Sequence, residues 1–224
     1  MPPYNVETVL GEYANPSKQF LEGALREVPP QTGHETLQLP EPWGETEFIY
    51  SQHSEPLTVP FAEGIAEKGI REFIWNLHLS HRENEAWIGL VKAGFGDFED
   101  SIEIGSVSRR PLEFPDVVIR RNMEKRGGDI PAQENHEIHL AIGEGKAAGA
   151  AKRVTVRVTA DPDPLYDGYH DAAASMNASI ALQLMLKIGN RPGVWAPEEF
   201  FDVEDYFAEL RKRRFIIAVE EEAL

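Results

Sequence analysis

"AIGEGKAAGAAKRVTVRVTA", residues 141–160, decides the fold. Its glycines, Gly143, Gly145 and Gly149, have the look of a phosphate-binding loop. A dinucleotide-binding loop, however, runs from a strand through its glycines into a helix whose N-terminus meets the pyrophosphate. Here the glycines lead into Val154, Val156 and Val158, alternating with Arg153, Thr155, Arg157 and Thr159. A period of two is a strand. The preceding "NHEIHLAI", 135–142, is strand-like as well, so the two runs form an antiparallel pair around the turn 143–149. Neither G-x-G-x-x-G nor a Walker loop occurs elsewhere, and no nucleotide-binding domain is visible in the chain.

Outward from this pair, helical and strand patterns alternate. Residues 5–14 open with a capping-type Asn5 and place Val6, Val9, Leu10 and Tyr13 at helical spacing. Residues 18–28 read as a hairpin turning at Glu22-Gly23. Two strands, 35–39 and 45–51, are joined by a bend through Pro40, Pro42 and Gly44. A helix over 61–69 leads to a strand over 71–79, with Phe73, Trp75 and Leu77 on one face. Helices are expected over 81–95, stopping at Gly94, and over 110–125, interrupted by Pro115. The longest helix runs from about Ala172 to Ile188, and a last helix capped by Asp202 precedes a strand at 215–219. Together these predict an α/β chain of α+β type, a mixed sheet flanked by helices. With no linker in evidence, 1–224 reads as one domain.

Composition narrows the function. The 224 residues carry 38 acidic and 22 basic side chains, a formal net charge of −16. That sign disfavours nucleic acid, which is bound through clustered Lys and Arg, and an anionic membrane surface. With no cysteine, thiol nucleophiles, disulfides and thiolate-held metals are excluded. The start, Met1 to Asn5, shows no signal-peptide pattern, and the longest apolar stretch is interrupted by Gln183 and Lys187. A soluble, cytoplasmic protein is expected.

Among the polar motifs, His136 and His139 fall on opposite faces of one strand. Neither that pair nor His78 and His81 has metal-ligand spacing, so no metal site is expected. The basic run Arg211 to Arg214 ends a helix, where cations offset the macrodipole. "YSQHSEPLTVP", residues 50–60, is different, gathering His53, Ser54, Glu55 and Thr58 within eleven residues. Adjacent residues cannot form a nucleophilic triad, whose members converge from separate segments. In an extended chain His53 and Glu55 share a face and could meet one polar ligand. Thr58, before Pro60, would then start a helix whose free N–H groups favour a carboxylate. On residue chemistry alone a structural turn fits this stretch better than a site.

"FIYSQHSEPLTVP" followed by "EKGIREFIWNL" nonetheless resembles the saccharopine dehydrogenase family, in the part after its nucleotide-binding domain. His53, Ser54, Glu55, Thr58, Pro60, Lys68, Gly69, Ile70 and Arg71 carry that likeness. Earlier, Pro16, Gly23, Val28 and Pro29 resemble the family's hairpin. Later, Ser179, Ile180, Ala181, Gly193, Val194, Pro197, Glu198, Phe207 and Leu210 resemble its closing helix, turn and helix. Two departures stand out. The family's Rossmann domain is absent, and Ala174-Ser175 replaces the Thr-Gly that usually starts the closing helix.

The resemblance implies the substrate side of an NAD(P)-dependent oxidoreductase acting on C–N bonds of amino acids or diamines. His53, Ser54, Glu55 and Thr58 would line the substrate cleft. NAD or NADP would be held mainly by a Rossmann domain outside this chain, so the chain alone would be inactive. The apolar helix 172–188 would then be covered by a second copy, as a homodimer, or by a separate Rossmann subunit. A non-catalytic dimerisation or small-molecule-binding module keeping the same fold is the alternative.

Overall fold

The computed structural model describes residues 5–78, 81–125, 136–161 and 171–224. The chain gathers into two compact units, Met1–Ile130 and Pro131–Leu224. It is a mixed α/β protein, with seven α-helices and ten short strands among the described residues. Every strand pairing described is antiparallel, in four small sheets, so the expected mixed sheet is not formed. The physical reason is local. The pairings β1–β2, β3–β4, β6–β7 and β8–β9 are hairpins, and a hairpin can only be antiparallel.

In the first unit, α1 (Val6–Ala14) begins where the Asn5 side chain accepts the backbone N–H groups of Glu7 and Thr8. Val6, Val9, Leu10 and Tyr13, one helical face, are buried with Ile49 and Trp87. β1 (Ser17–Leu21) and β2 (Ala24–Val28) turn at Glu22 and Gly23, both at positive φ, as a twisted two-residue hairpin demands. β3 (Glu35–Gln38) pairs with β4 (Glu45–Tyr50), which also pairs with β5 (Asn76–Leu77). Gly33 lies under the Tyr50 ring at φ 71°, and a Cβ there would meet the ring at 2.3 Å.

After β4 comes a four-residue helix, α2 (Glu55–Thr58), and then two 3-10 turns, Val59–Phe61 and Ala66–Lys68. These turns replace the helix expected over 61–69. Gly64 and Gly69, both at positive φ, break any longer run. The strand expected over 71–79 reduces to β5 and a bridge between Phe20 and Phe73. α3 (His81–Leu90) widens into a π-turn, Val91–Phe95, ended by Gly94 at φ 93°. A small hairpin follows, β6 (Ile102–Ile104) and β7 (Val107–Arg109), which the sequence pattern did not reveal. α4 (Glu113–Lys125) is not interrupted by Pro115. That proline sits in the first turn, where its missing N–H has no helical partner to lose.

In the second unit, β8 (Glu137–Ala147) and β9 (Ala150–Ala160) form the hairpin read from the sequence. It turns at Ala148 and Gly149, both at positive φ. β10 (Ile216–Ala223) adds to β9's other edge. α5 (Asp171–Ile188) and α7 (Val203–Lys212) enclose Ile180, Leu184, Leu210 and Phe215 against Val158, Ala160 and Ile217 of the sheet. Between them lies the short α6 (Pro197–Phe200). Arg191, in the loop before it, stacks on Trp195 at 3.9 Å and donates to the carbonyls of Glu199 and Phe200. α7 is capped by Asp202, as read from the sequence. Its Glu209, 5% exposed, is held by Lys212, Arg213 and Lys187. The outer stripe of α5 stays exposed at Leu182, Met185 and Leu186.

Two outcomes follow. Gly33→Ala must hold a side chain at left-handed φ against the Tyr50 ring. Urea unfolding of that variant should show a loss of about 1–3 kcal/mol. Separately, hydrogen bonds from Lys212 and Arg213 pull the Glu209 carboxyl down to about 2, against the upward push of burial. Its folded value lies below the ordinary value of about 4.3. The stabilisation is therefore complete above that pH and lost as pH falls toward 2. Thermal melts of Glu209→Gln against the parent chain should differ most near neutrality and converge only as pH falls through about 2.

Candidate functional site

The segment between β4 and α2 brings the sequence-selected residues together at one point. Ser51, just past the end of β4, is fully buried, and Pro56 in the first turn of α2 is too. These two anchors leave residues 52–54 to cross the surface between them. His53 and Glu55 do meet, but not as neighbours on one face of an extended strand. Glu55 is the first residue of α2, and its carboxylate reaches back to the Nδ1 of His53. Ser54 Oγ donates to the same carboxylate oxygen at 3.2 Å.

His53 lies flat on the indole of Trp75, ring centroids 3.9 Å apart and planes 9° from parallel. The side chains remain partly open to solvent, His53 at 43% and Glu55 at 31%. Burial acts to raise the Glu55 carboxyl, but hydrogen bonds from His53, its own backbone N–H and Ser54 hold it below the usual carboxylate range. An ionised carboxylate can only accept, so the Nδ1 of His53 must be the donor. The neutral ring then carries its proton on Nδ1 and leaves the Nε2 lone pair on the far edge. Such a histidine can accept a proton at Nε2 while the carboxylate stabilises the cation formed, the division of labour of a general base and its orienting acid.

Thr58, half-buried, closes α2 one turn past Glu55. At the same time it precedes the 3-10 turn Val59–Phe61, as its place before Pro60 suggested, but its side chain makes no capping bond there. Four residues are too few to present an anion site, so no carboxylate-binding helix start exists there. Nearby in the chain, Gln52 lines a shallow open cleft of about 550 Å³, together with Glu7, Glu12 and Phe98.

Two further residues belong to this arrangement and were not singled out from the sequence. Trp75 was legible only as one apolar position of a strand. Gln19, on β1, is fully buried and hydrogen-bonds both Ser51 and Trp75. The other described histidines make their bonds elsewhere, His34 with Glu47 and the Gln31 carbonyl. His136 reaches Asp161, His139 reaches Glu137, and His78 donates from Nδ1 to the Glu47 carbonyl; the His81 side chain lies outside the described residues. Among the described residues, no group of three His, Cys, Asp or Glu could hold a metal. Ala174 and Ser175 fall in the first turns of α5. No described glycine loop joins a strand to a helix, and 143–149 belongs to the β8–β9 hairpin. No helix among them is long and apolar enough to cross a membrane.

Nitrogen-15 NMR of the imidazole separates the two neutral tautomers. His53 should show the Nδ1-protonated form, and Glu55→Ala should return it to a mixture richer in the Nε2-protonated form. A parent spectrum dominated by Nε2–H would contradict the assignment.

Compared with models of known protein families and with curated proteins, the chain matches none.

Proposed function

We propose that the chain is the substrate-binding portion of an oxidoreductase acting on C–N bonds of amino acids or diamines, resembling saccharopine dehydrogenases. The observation carrying this reading is the His53–Glu55 pair on Trp75. It presents a base, a carboxylate and an aromatic face at one partly open position. Making or breaking a C–N bond needs a proton moved to or from nitrogen, and His53 Nε2 is a group of the right kind. The carboxylates of Glu7 and Glu12 in the neighbouring cleft, in a chain of net charge −16, suit a cationic amine. NAD or NADP would be held by a Rossmann domain supplied separately and would carry the hydride.

A second reading is a non-catalytic module for dimerisation or small-molecule binding. The exposed Leu182, Met185 and Leu186 on α5 favour it, since apolar stripes of this kind mark interfaces.

NMR titration with L-lysine and with 1,4-diaminobutane distinguishes the two. The first reading expects saturable shifts at His53, Glu55 and Trp75, abolished by His53→Ala, and none at these positions with NADH alone. No shift with either amine, together with a dimer in light scattering that Leu186→Lys dissociates, would favour the second.

A further inference from the structure

The strands β4 and β5 part company at the point where the site begins, and one side chain fills the gap. Their register pairs Ile49 with Leu77 and Tyr50 with Asn76. The next pair in the same register is Ser51 and Trp75. In an unbroken antiparallel ladder such a pair exchanges two N–H to C=O bonds when it falls at a hydrogen-bonded position. Only one is made here, from Ser51 N–H to the Trp75 carbonyl at 3.1 Å. In place of the other stands the carboxamide of Gln19. Its Oε1 accepts the Trp75 N–H at 2.8 Å, and its Nε2 donates to the Ser51 carbonyl at 3.0 Å and to Ser17 Oγ at 3.1 Å.

The partners fix the orientation of this amide. A backbone N–H can only donate and a carbonyl can only accept, so Oε1 faces Trp75 and Nε2 faces Ser51. Gln19 is fully buried, and β1, which carries it, is bridged to the same segment through Phe20 and Phe73. The amide thus acts as a wedge one residue long. It separates two backbones that would otherwise close on each other, and satisfies both groups it parts.

We infer that Gln19 is the positioning residue of the His53 site. By holding the Trp75 N–H away from the Ser51 carbonyl, it sets where the indole lies, and the indole is the surface on which His53 stacks. Gln19 touches neither His53 nor Glu55 in any bond described and acts through Trp75. The inference rests on the His53 site proposed above, but its geometry can be tested without any ligand.

The wedge is read first in the parent chain. Through-hydrogen-bond NMR coupling is expected from the Trp75 amide nitrogen to Gln19 Cδ; coupling to the Ser51 carbonyl carbon instead would overturn the inference. Its effect on the site is read from the His53 ring protons, which a flat-lying indole displaces upfield. Trp75→Leu should return them to ordinary positions and so assign the effect. Gln19→Leu should do the same with His53, Glu55 and Trp75 all present, while signals of the Trp87 core stay in place. Gln19→Glu keeps the acceptor for Trp75 but cannot donate to Ser51 when ionised. It should lose part of the displacement, and it is the variant to read if Gln19→Leu does not fold. A folded variant of either kind whose His53 protons keep their full displacement would overturn the inference. Adding 1,4-diaminobutane to the parent chain tests the function separately. An intact stack that does not respond to the amine counts against the site's proposed use and leaves the role of Gln19 standing.

Discussion

The bond from the Trp75 N–H to the Gln19 side chain is the constraint on which the candidate site of the first unit depends. A buried amide N–H and carbonyl left without partners would each cost about 1–3 kcal/mol. Strands β4 and β5 cannot simply separate inside a protein; something must occupy both groups. A glutamine is well matched to this, because one carboxamide offers an acceptor and a donor side by side. Once the strands are parted, the chain after Ser51 is free to leave the sheet, turn into α2 and carry His53 back over Trp75. The wedge, the stack and the His53–Glu55 pair are therefore successive consequences of one local departure from regular pairing.

The second unit obeys a simpler rule. Three antiparallel strands offer two faces, and α5 and α7 cover one of them through Ile180, Leu184, Leu210 and Phe215. An 18-residue helix has more apolar circumference than that contact uses, which is why Leu182, Met185 and Leu186 stay exposed. Glu209 ties the end of α7 to α5 through Lys187, so the charged contacts reinforce the same packing. The sheet's other face is laced by Arg153 to Glu144, directly opposite in the register, and by Arg157 to Glu220, its diagonal neighbour.

Local features were legible in the sequence wherever a single element generates its own signal. The Asn5 and Asp202 caps, the Glu22-Gly23 turn and the β8–β9 hairpin each depend on a few adjacent residues, and each stands where the pattern puts it. The buried face of α1 was likewise readable from spacing alone. What failed were inferences across elements. Alternation announces a strand but not a distant neighbour, so outside the hairpins the pairing of β5 with β4 and of β10 with β9 was hidden. Pro115 reads as a helix breaker until its place in the first turn is known. Glu55 left the extended chain because α2 begins three residues before Thr58, where the Pro60 signal put the helix start. Gln19 was invisible for a related reason. A polar residue in a strand looks solvent-facing, and only the bridge between Phe20 and Phe73 turns its side chain toward Ser51 and Trp75.

Native-state hydrogen exchange at one amide tests the central constraint most directly. If Gln19 holds the Trp75 N–H, that amide should exchange as slowly as the ladder amides of β4 beside it, although no strand partner accepts its bond. Exchange of the Trp75 amide at the rate of an exposed loop, with the β4 amides still protected, would mean that the strands part without a wedge, and that nothing fixes the surface beneath His53.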